Sequence, residues 1–125
     1  MKVRCIRLFD AFGREVDSSP WLTVGRSYHV MSIEITPDGK RTYGIATAER
    51  TGGWPTLGSH RIESFEILST LVPSNWRVEV QANGAMFIAP EAWLAPGFFE
   101  AFSDREPAAY PIFERERDVI LAEDA

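Results

Sequence analysis

The sequence predicts a mainly β (α+β) fold: a small, strongly bent β-barrel of about five strands, extended by a second hairpin and carrying a C-terminal α-helical segment packed on one side. Three observations predict it. The longest β-type run, Arg26 to Ile35, passes through the turn-forming stretch Thr36-Pro37-Asp38-Gly39-Lys40-Arg41 into a second run, Thr42 to Ala48. A similar pair, Trp76 to Gln81 and Ala85 to Ala89, flanks Asn83-Gly84, the preferred two-residue hairpin turn. Beyond Ala89 the apolar spacing changes from every second residue to the three-and-four spacing of helices. A chain of 125 residues is near the modal size of one domain. It divides into a barrel core over 1–72, the hairpin over 73–89 and a helical extension over 90–125.

Taken in order, Val3 to Phe9 reads as a first strand, with Val3, Cys5, Arg7 and Phe9 on one face and Ile6 and Leu8 on the other. Cys5 there is a small buried hydrophobe rather than a nucleophile, having no histidine or asparagine near it in sequence. Asp10 to Pro20, with Gly13, Asp17, Ser18, Ser19 and Pro20, reads as a loop and a candidate contact surface. Gly25 then supplies a backbone conformation that side chains resist and bends Leu22-Thr23-Val24 into the long run. On that run His29, Met31, Ile33 and Ile35 form the core face over its second half. A bend would bring Tyr28 and Val30 inside over its first half.

Glu49 to Gly58 reads as a loop carrying Trp54 behind Gly52-Gly53. Its indole has two readings, an outward anchor for a partner or a lid folded back on the barrel mouth. Ser59 to Thr70 holds one further strand, with Phe65 and Ile67 inward and His60 at a solvent-exposed edge. In Trp76 to Gln81 the alternation places Trp76, Val78 and Val80 on one face and Arg77, Glu79 and Gln81 on a wet one. Two short helical turns after Pro90 and Pro96 bring Trp93, Leu94, Phe98, Phe99 and Phe102 against the sheet. The last helix begins near Pro111 and runs to about Glu123, with Ile112, Phe113, Glu116, Val119 and Ile120 as its inner stripe. Glu114 with Arg117 and Arg115 with Asp118 are i,i+3 pairs on its wet side.

Composition narrows the functional classes. Residues 1–62 carry nine Lys/Arg and six Asp/Glu, and residues 63–125 carry four Arg and twelve Asp/Glu. The net charges are +3 and −8, which sum to the chain's −5. An acidic surface of this kind suits a basic protein partner and disfavours nucleic acid, whose binding needs clustered cations. Such binding would require Lys2, Arg4, Arg7, Arg26, Lys40, Arg41, Arg50 and Arg61 on one face. No apolar run approaches the roughly 20 residues that span a bilayer, so no membrane partner is expected. A lone cysteine forms no internal disulfide, and a reducing, bacterial-type cytoplasm fits best. His29 and His60 stand apart, with no ligand spacing around either, so no metal site is expected. Gly52-Gly53 leads into Trp-Pro rather than a phosphate-cradling helix start, and no serine sits on a G-x-S-x-G elbow. The chain therefore reads as non-catalytic, with no catalytic residue, no cofactor and no metal.

Three segments carry a resemblance: Leu22-Thr23-Val24-Gly25-Arg26-Ser27-Tyr28-His29-Val30, Tyr43-Gly44-Ile45, and Phe65-Glu66-Ile67-Leu68. Together they resemble a set of small bacterial and phage proteins that fold as Src-homology-3-like (SH3-like) barrels. Arg26 stands where those proteins more often have lysine, and Gly52-Gly53-Trp54-Pro55 departs from their acidic-glycine turn. The remainder, Pro73-Ser74-Asn75-Trp76 and Ala89 to Glu100, is similar to small bacterial proteins encoded beside secreted toxins and regarded as immunity proteins. The resemblance implies a protein that neutralises a cognate basic toxin by occluding its active site, the acidic half steering the encounter. The residues expected to meet that partner are Trp54 and Arg50 on the glycine loop and Glu100, Asp104, Glu114 and Asp118 on the acidic tail. The alternative is a small ligand-binding or enzymatic barrel, its pocket between the sheet and the cluster Trp93, Phe98, Phe99 and Phe102. A polar-lined cavity with a carboxylate or His29 at its base would favour it.

Overall fold

The computed structural model describes residues 1–47 and 54–125. The fold is mainly β, with 36% strand, 23% helix, three sheets and a C-terminal helix. The strands are β1 (Lys2–Cys5), β2 (Leu8–Phe9), β3 (Glu15–Val16), β4 (Ser27–His29), β5 (Ser32–Ile35), β6 (Arg41–Thr47), β7 (Thr56–Arg61), β8 (Phe65–Ser69), β9 (Trp76–Val80) and β10 (Met86–Pro90). Helices α1 (Phe98–Ser103) and α2 (Ala109–Glu123) follow, and 3-10 turns occupy Ile62–Ser64 and Glu91–Trp93. Three sheets form, in the orders β4-β1-β8, β7-β6-β5-β10-β9 and β2-β3. None closes on itself among the described residues.

The long run does bend, and it divides between sheets. Val30 N–H donates to Met1 O at 3.0 Å, while the next amide, Met31 N–H, donates to Gly44 O at 2.8 Å. Consecutive amides thus serve different sheets, and both side chains are buried. Two adjacent buried residues cannot share one face of a regular strand, so a corner here is how both enter the core. The stretch read as one strand from Ser59 to Thr70 divides in the same way. The 3-10 turn at Ile62–Ser64 ends β7 in the five-stranded sheet and starts β8 in the three-stranded one. Phe65 is buried there, yet Ile67 is 53% exposed, contrary to its expected inward position. β8 is an edge strand whose register slips at Lys2/Val3, which breaks the alternation.

Both expected hairpins form. β5 pairs β6 with Ser32 opposite Gly44, and β9 pairs β10 with Val80 opposite Met86. β10 also pairs β5, so the second hairpin widens the sheet of the first. The Asn83-Gly84 turn is not a two-residue loop. Gln81 N–H donates to Ala85 O and Gly84 N–H to Gln81 O, with Gly84 at φ +89°. That is a three-residue loop closed by a left-handed glycine, which fits the right-handed strand twist. Thr36–Lys40 repeats the arrangement with Gly39, and Asp10–Arg14 with Gly13. The last of these makes a hairpin, β2–β3, inside the segment read as loop.

The core runs as one cluster from Val3, Cys5, Val30, Tyr43 and Ile45 to Trp93, Phe98, Phe102, Phe113 and Ile120. Cys5 is fully buried, and burial pushes its thiol above the ordinary range. α2 starts two residues before Pro111, which a first helical turn tolerates. On α2, Arg117 pairs with Glu114 at 3.7 Å and with Asp118 at 3.3 Å. Asp118 therefore joins Arg117, and the expected Arg115–Asp118 pair does not form. Val78 and Val80 are 56% and 66% exposed, because the core ends at Trp76 and β9 continues past it as the outer strand. Their face carries two apolar rungs, Val78–Ile88–Ile33 and Val80–Met86–Ile35.

The end of α2 is tied to the first sheet. Asp124 Oδ2 accepts from Ser69 Oγ at 2.7 Å and lies 2.9 Å from the Met1 amino group, and His29 Nε2–H donates to Asp124 O at 2.6 Å. His29 is thereby a satisfied rim residue. The Ser69 hydroxyl, followed by the amino group, holds the Asp124 carboxyl below its usual 3.8. A folded-state pKa below the unfolded one means the unfolded chain binds more protons, so this tie stabilises above pH 3.8 and is lost as pH falls through the folded value. Asp124→Ala should cost about 1–2 kcal/mol in urea denaturation at pH 7, since charge-assisted bonds are worth a little more than neutral ones. The deficit should shrink toward pH 3; a deficit independent of pH would show that the carboxylate is not its source.

Candidate functional site

The alternation along β5 and β9 places one carboxylate on the same sheet face from each. Glu34 lies between Ile33 and Ile35, and Glu79 between Val78 and Val80, so both point away from the apolar rungs. Glu34 stands directly opposite Thr42 on one side and Phe87 on the other, and Phe87 in turn opposes Glu79. Directly opposite residues hold their Cβ atoms about 4.5–5.5 Å apart. The two carboxylates therefore flank the Phe87 ring. Above this row, α1 brings Phe99 edge-on to Phe87, with ring centroids 5.3 Å apart, and sets Glu100 beside it.

The space left between sheet and helix is a cleft of about 450 Å³. Glu34, Glu79 and Glu100 line it with Ser32 and Gln81, over apolar walls of Leu57, Phe87 and Phe99, and no Lys or Arg among the described residues lines it. None of the three glutamates makes an ion pair among the described residues. They stand around the rim instead of converging. Among the described residues, no group of three or more His, Cys, Asp or Glu could hold a metal ion. Gly44 sits in the floor because of Ser32: a Cβ at position 44 would lie 2.0 Å from Ser32 Oγ and 3.3 Å from its Cβ.

Behind the cleft the aromatic rings are continuous. Phe99 meets Phe98, Phe98 stacks on Trp93, Trp93 on Phe113, and Phe113 meets Phe102. Trp54 closes the series, 5.4 Å from Phe102 and 5.2 Å from Tyr110. Its ring is packed inward in the manner of a lid, and its Nε1 is buried.

Of the residues expected to meet a partner, Glu100 lines the cleft. Asp104 is exposed just past α1, and Glu114 and Asp118 lie on α2 and share Arg117. Arg50 lies outside the described residues. Glu34, Glu79 and Phe87 were not expected in a site, although their positions between apolar strand neighbours are the signal that puts them on a common face. His29 is not at the base of the cleft, being tied to Asp124. His60 departs from its expected exposed position: it is on β7, with Nε2 buried and unpartnered. Burial lowers its pKa. No helix among the described residues is long and apolar enough to cross a membrane. Compared with known proteins, the chain matches no family model, no curated protein and no solved structure.

Proposed function

We propose that this chain is a non-catalytic protein-binding domain of the immunity type, related to SH3-like barrels. Its acidic cleft would receive a basic segment of a protein partner and so occlude that partner's working surface. The single observation behind this reading is the cleft's lining: three carboxylates without a cationic counterpart among the described residues, set around two aromatic rings. A guanidinium or ammonium group there would find charge at the rim and a ring face beneath it, a cation–π arrangement worth about 0.5–2 kcal/mol. The apolar rungs on the reverse face, with Val78 and Val80 outermost, offer the same partner a second contact.

A second reading follows from the cleft's size. A volume of about 450 Å³ falls within the roughly 300–1,000 Å³ of small-molecule pockets, so a small organic cation is the competing occupant. One experiment separates the two. A fluorescently labelled Arg-Gly repeat peptide and agmatine are titrated into the protein at 50 and 200 mM salt. The peptide should bind and weaken with salt, and Glu34→Gln/Glu79→Gln/Glu100→Gln should lower its affinity about tenfold or more, since three screened charge contacts sum to at least 1.4 kcal/mol. Asp17→Asn/Glu63→Gln/Glu106→Gln removes equal charge away from the cleft and should cost under about threefold. Equal losses from the two triple variants would reduce the binding to general charge attraction. Agmatine binding as tightly as the peptide would favour the small-cation reading.

A further inference from the structure

A second cleft, of about 480 Å³, lies between the β2–β3 hairpin and β7, and its charge is the reverse of the first. Its cations are Lys40 and Arg61, and neither makes an ion pair among the described residues. Its one carboxylate among the described residues, Asp10, is engaged by its own turn, with Oδ1 accepting from the amides of Phe12 and Arg14 at 2.9 Å each. The ring of His60 also borders this cleft, with its Nε2 buried against Gly58.

Two glycines make room for these groups. A Cβ at Gly58 would lie 3.0 Å from His60 Nε2, and one at Gly13 would lie 3.1 Å from Arg61 Nη2. The Arg61 guanidinium is thus laid across the Gly13 turn, and the imidazole occupies the space above Gly58. Six hydroxyl side chains add donors to the lining. Ser19 is the clearest: its Oγ accepts from the amides of Trp21 and Leu22, which leaves its proton to donate. Two cations that form no ion pair among the described residues, together with the hydroxyls, match the charge of about −1.5 to −2 and the three acceptor oxygens of a phosphate monoester. Trp21, 46% exposed on the same lining, offers a ring face for a planar group.

We propose that this cleft is a binding site for a small phosphate monoester carrying a planar ring, of the nucleoside monophosphate class. The two clefts adjoin, with Thr42 and Ser59 on both linings, but they differ in charge and are probed by different ligands, so either can fail without the other. The probes are AMP, ribose 5-phosphate and adenosine, titrated into the full chain by calorimetry, with His60 ring signals followed by NMR. AMP should bind and shift the His60 resonances, ribose 5-phosphate should bind several-fold more weakly, and adenosine should show no saturable binding. Lys40→Met, an exposed substitution, should weaken AMP at least about tenfold, the usual scale for a lost charge-assisted hydrogen bond. Trp21→Ala should bring AMP down to the affinity of ribose 5-phosphate without changing the latter. Adenosine binding as tightly as AMP, or Lys40→Met leaving AMP affinity unchanged, would overturn the proposal. So would AMP binding that leaves the His60 signals in place.

Discussion

Trp93→Ala should remove about 3–5 kcal/mol of stability, the range for emptying a fully buried large aromatic site. Small domains have only about 5–15 kcal/mol in total, so the variant should be partly unfolded at moderate urea. The size of the effect follows from where the ring sits. It is fully buried on a 3-10 turn, stacked on Phe98 of α1 at 6.0 Å and on Phe113 of α2 at 5.1 Å, both rings nearly parallel to it. One side chain thus joins both helices to the end of β10. The flanking rings, being fixed by their own helices, can close the vacancy only in part. Trp93→Phe is the informative companion. Trp93 Nε1 is buried without a partner, so phenylalanine removes an unsatisfied donor along with part of the packing. Its cost should be about 1–2 kcal/mol, well under the alanine value, because the smaller ring leaves a smaller cavity and the unsatisfied donor goes with the indole. Denaturant titrations at 25 °C, with unchanged m-values, check both. If phenylalanine cost as much as alanine, stacking area would not be the source of the effect. Because Trp93 also lines the acidic cleft, the alanine variant should lose affinity for the Arg-Gly peptide beyond what its folded fraction explains.

Legibility in the sequence depended on how local the physics was. The hairpins at Thr36–Lys40 and Gln81–Ala85 were readable because turn chemistry sits within five residues. The loop length at Asn83 was misjudged because a left-handed glycine ends the three-residue turn as readily as it completes a two-residue one. The same glycine signal at Gly13 went unread, since its strands are only two residues long. Alternation told correctly which residues share a face of β9, but not whether that face is covered. Trp76 is buried and Val78 and Val80 are not, a difference set by how far the core extends. The aromatic cluster behind the cleft was foreseen from the proline-led turns. Of the cleft carboxylates only Glu100 was, because Glu34 and Glu79 come to the same rim only through the pairing of β10 with β5 and β9 and the placement of α1. His60 shows the same limit: its ring lies against Gly58 of its own strand, which residue type alone does not reveal.

Gly44→Ala is expected to be the second most damaging small change, at about 1–3 kcal/mol, the cost of overpacking a well-filled site. Opposite strand residues normally keep their Cβ atoms about 4.5–5.5 Å apart. At this pair the Cβ separation would be 3.3 Å, and the new methyl would also lie 2.0 Å from Ser32 Oγ. Rotating the hydroxyl away removes the second clash but leaves the first. The strands must then move apart by about 1 Å, beside the amide of Met31 that bonds Gly44 O at 2.8 Å. The corner between the two sheets is at that amide, so strain should spread to β4 as well as β6. Ser32→Ala in the same chain would relieve only the hydroxyl contact. Ser32→Gly would relieve both, and Gly44→Ala/Ser32→Gly should be less destabilised than the sum of its single changes by about 0.5–2 kcal/mol. Strict additivity in that double-mutant cycle would mean that the close approach of these strands is not what requires glycine at position 44. Hydrogen exchange gives the independent reading: the Met31 amide should lose protection in Gly44→Ala and recover it in the double variant.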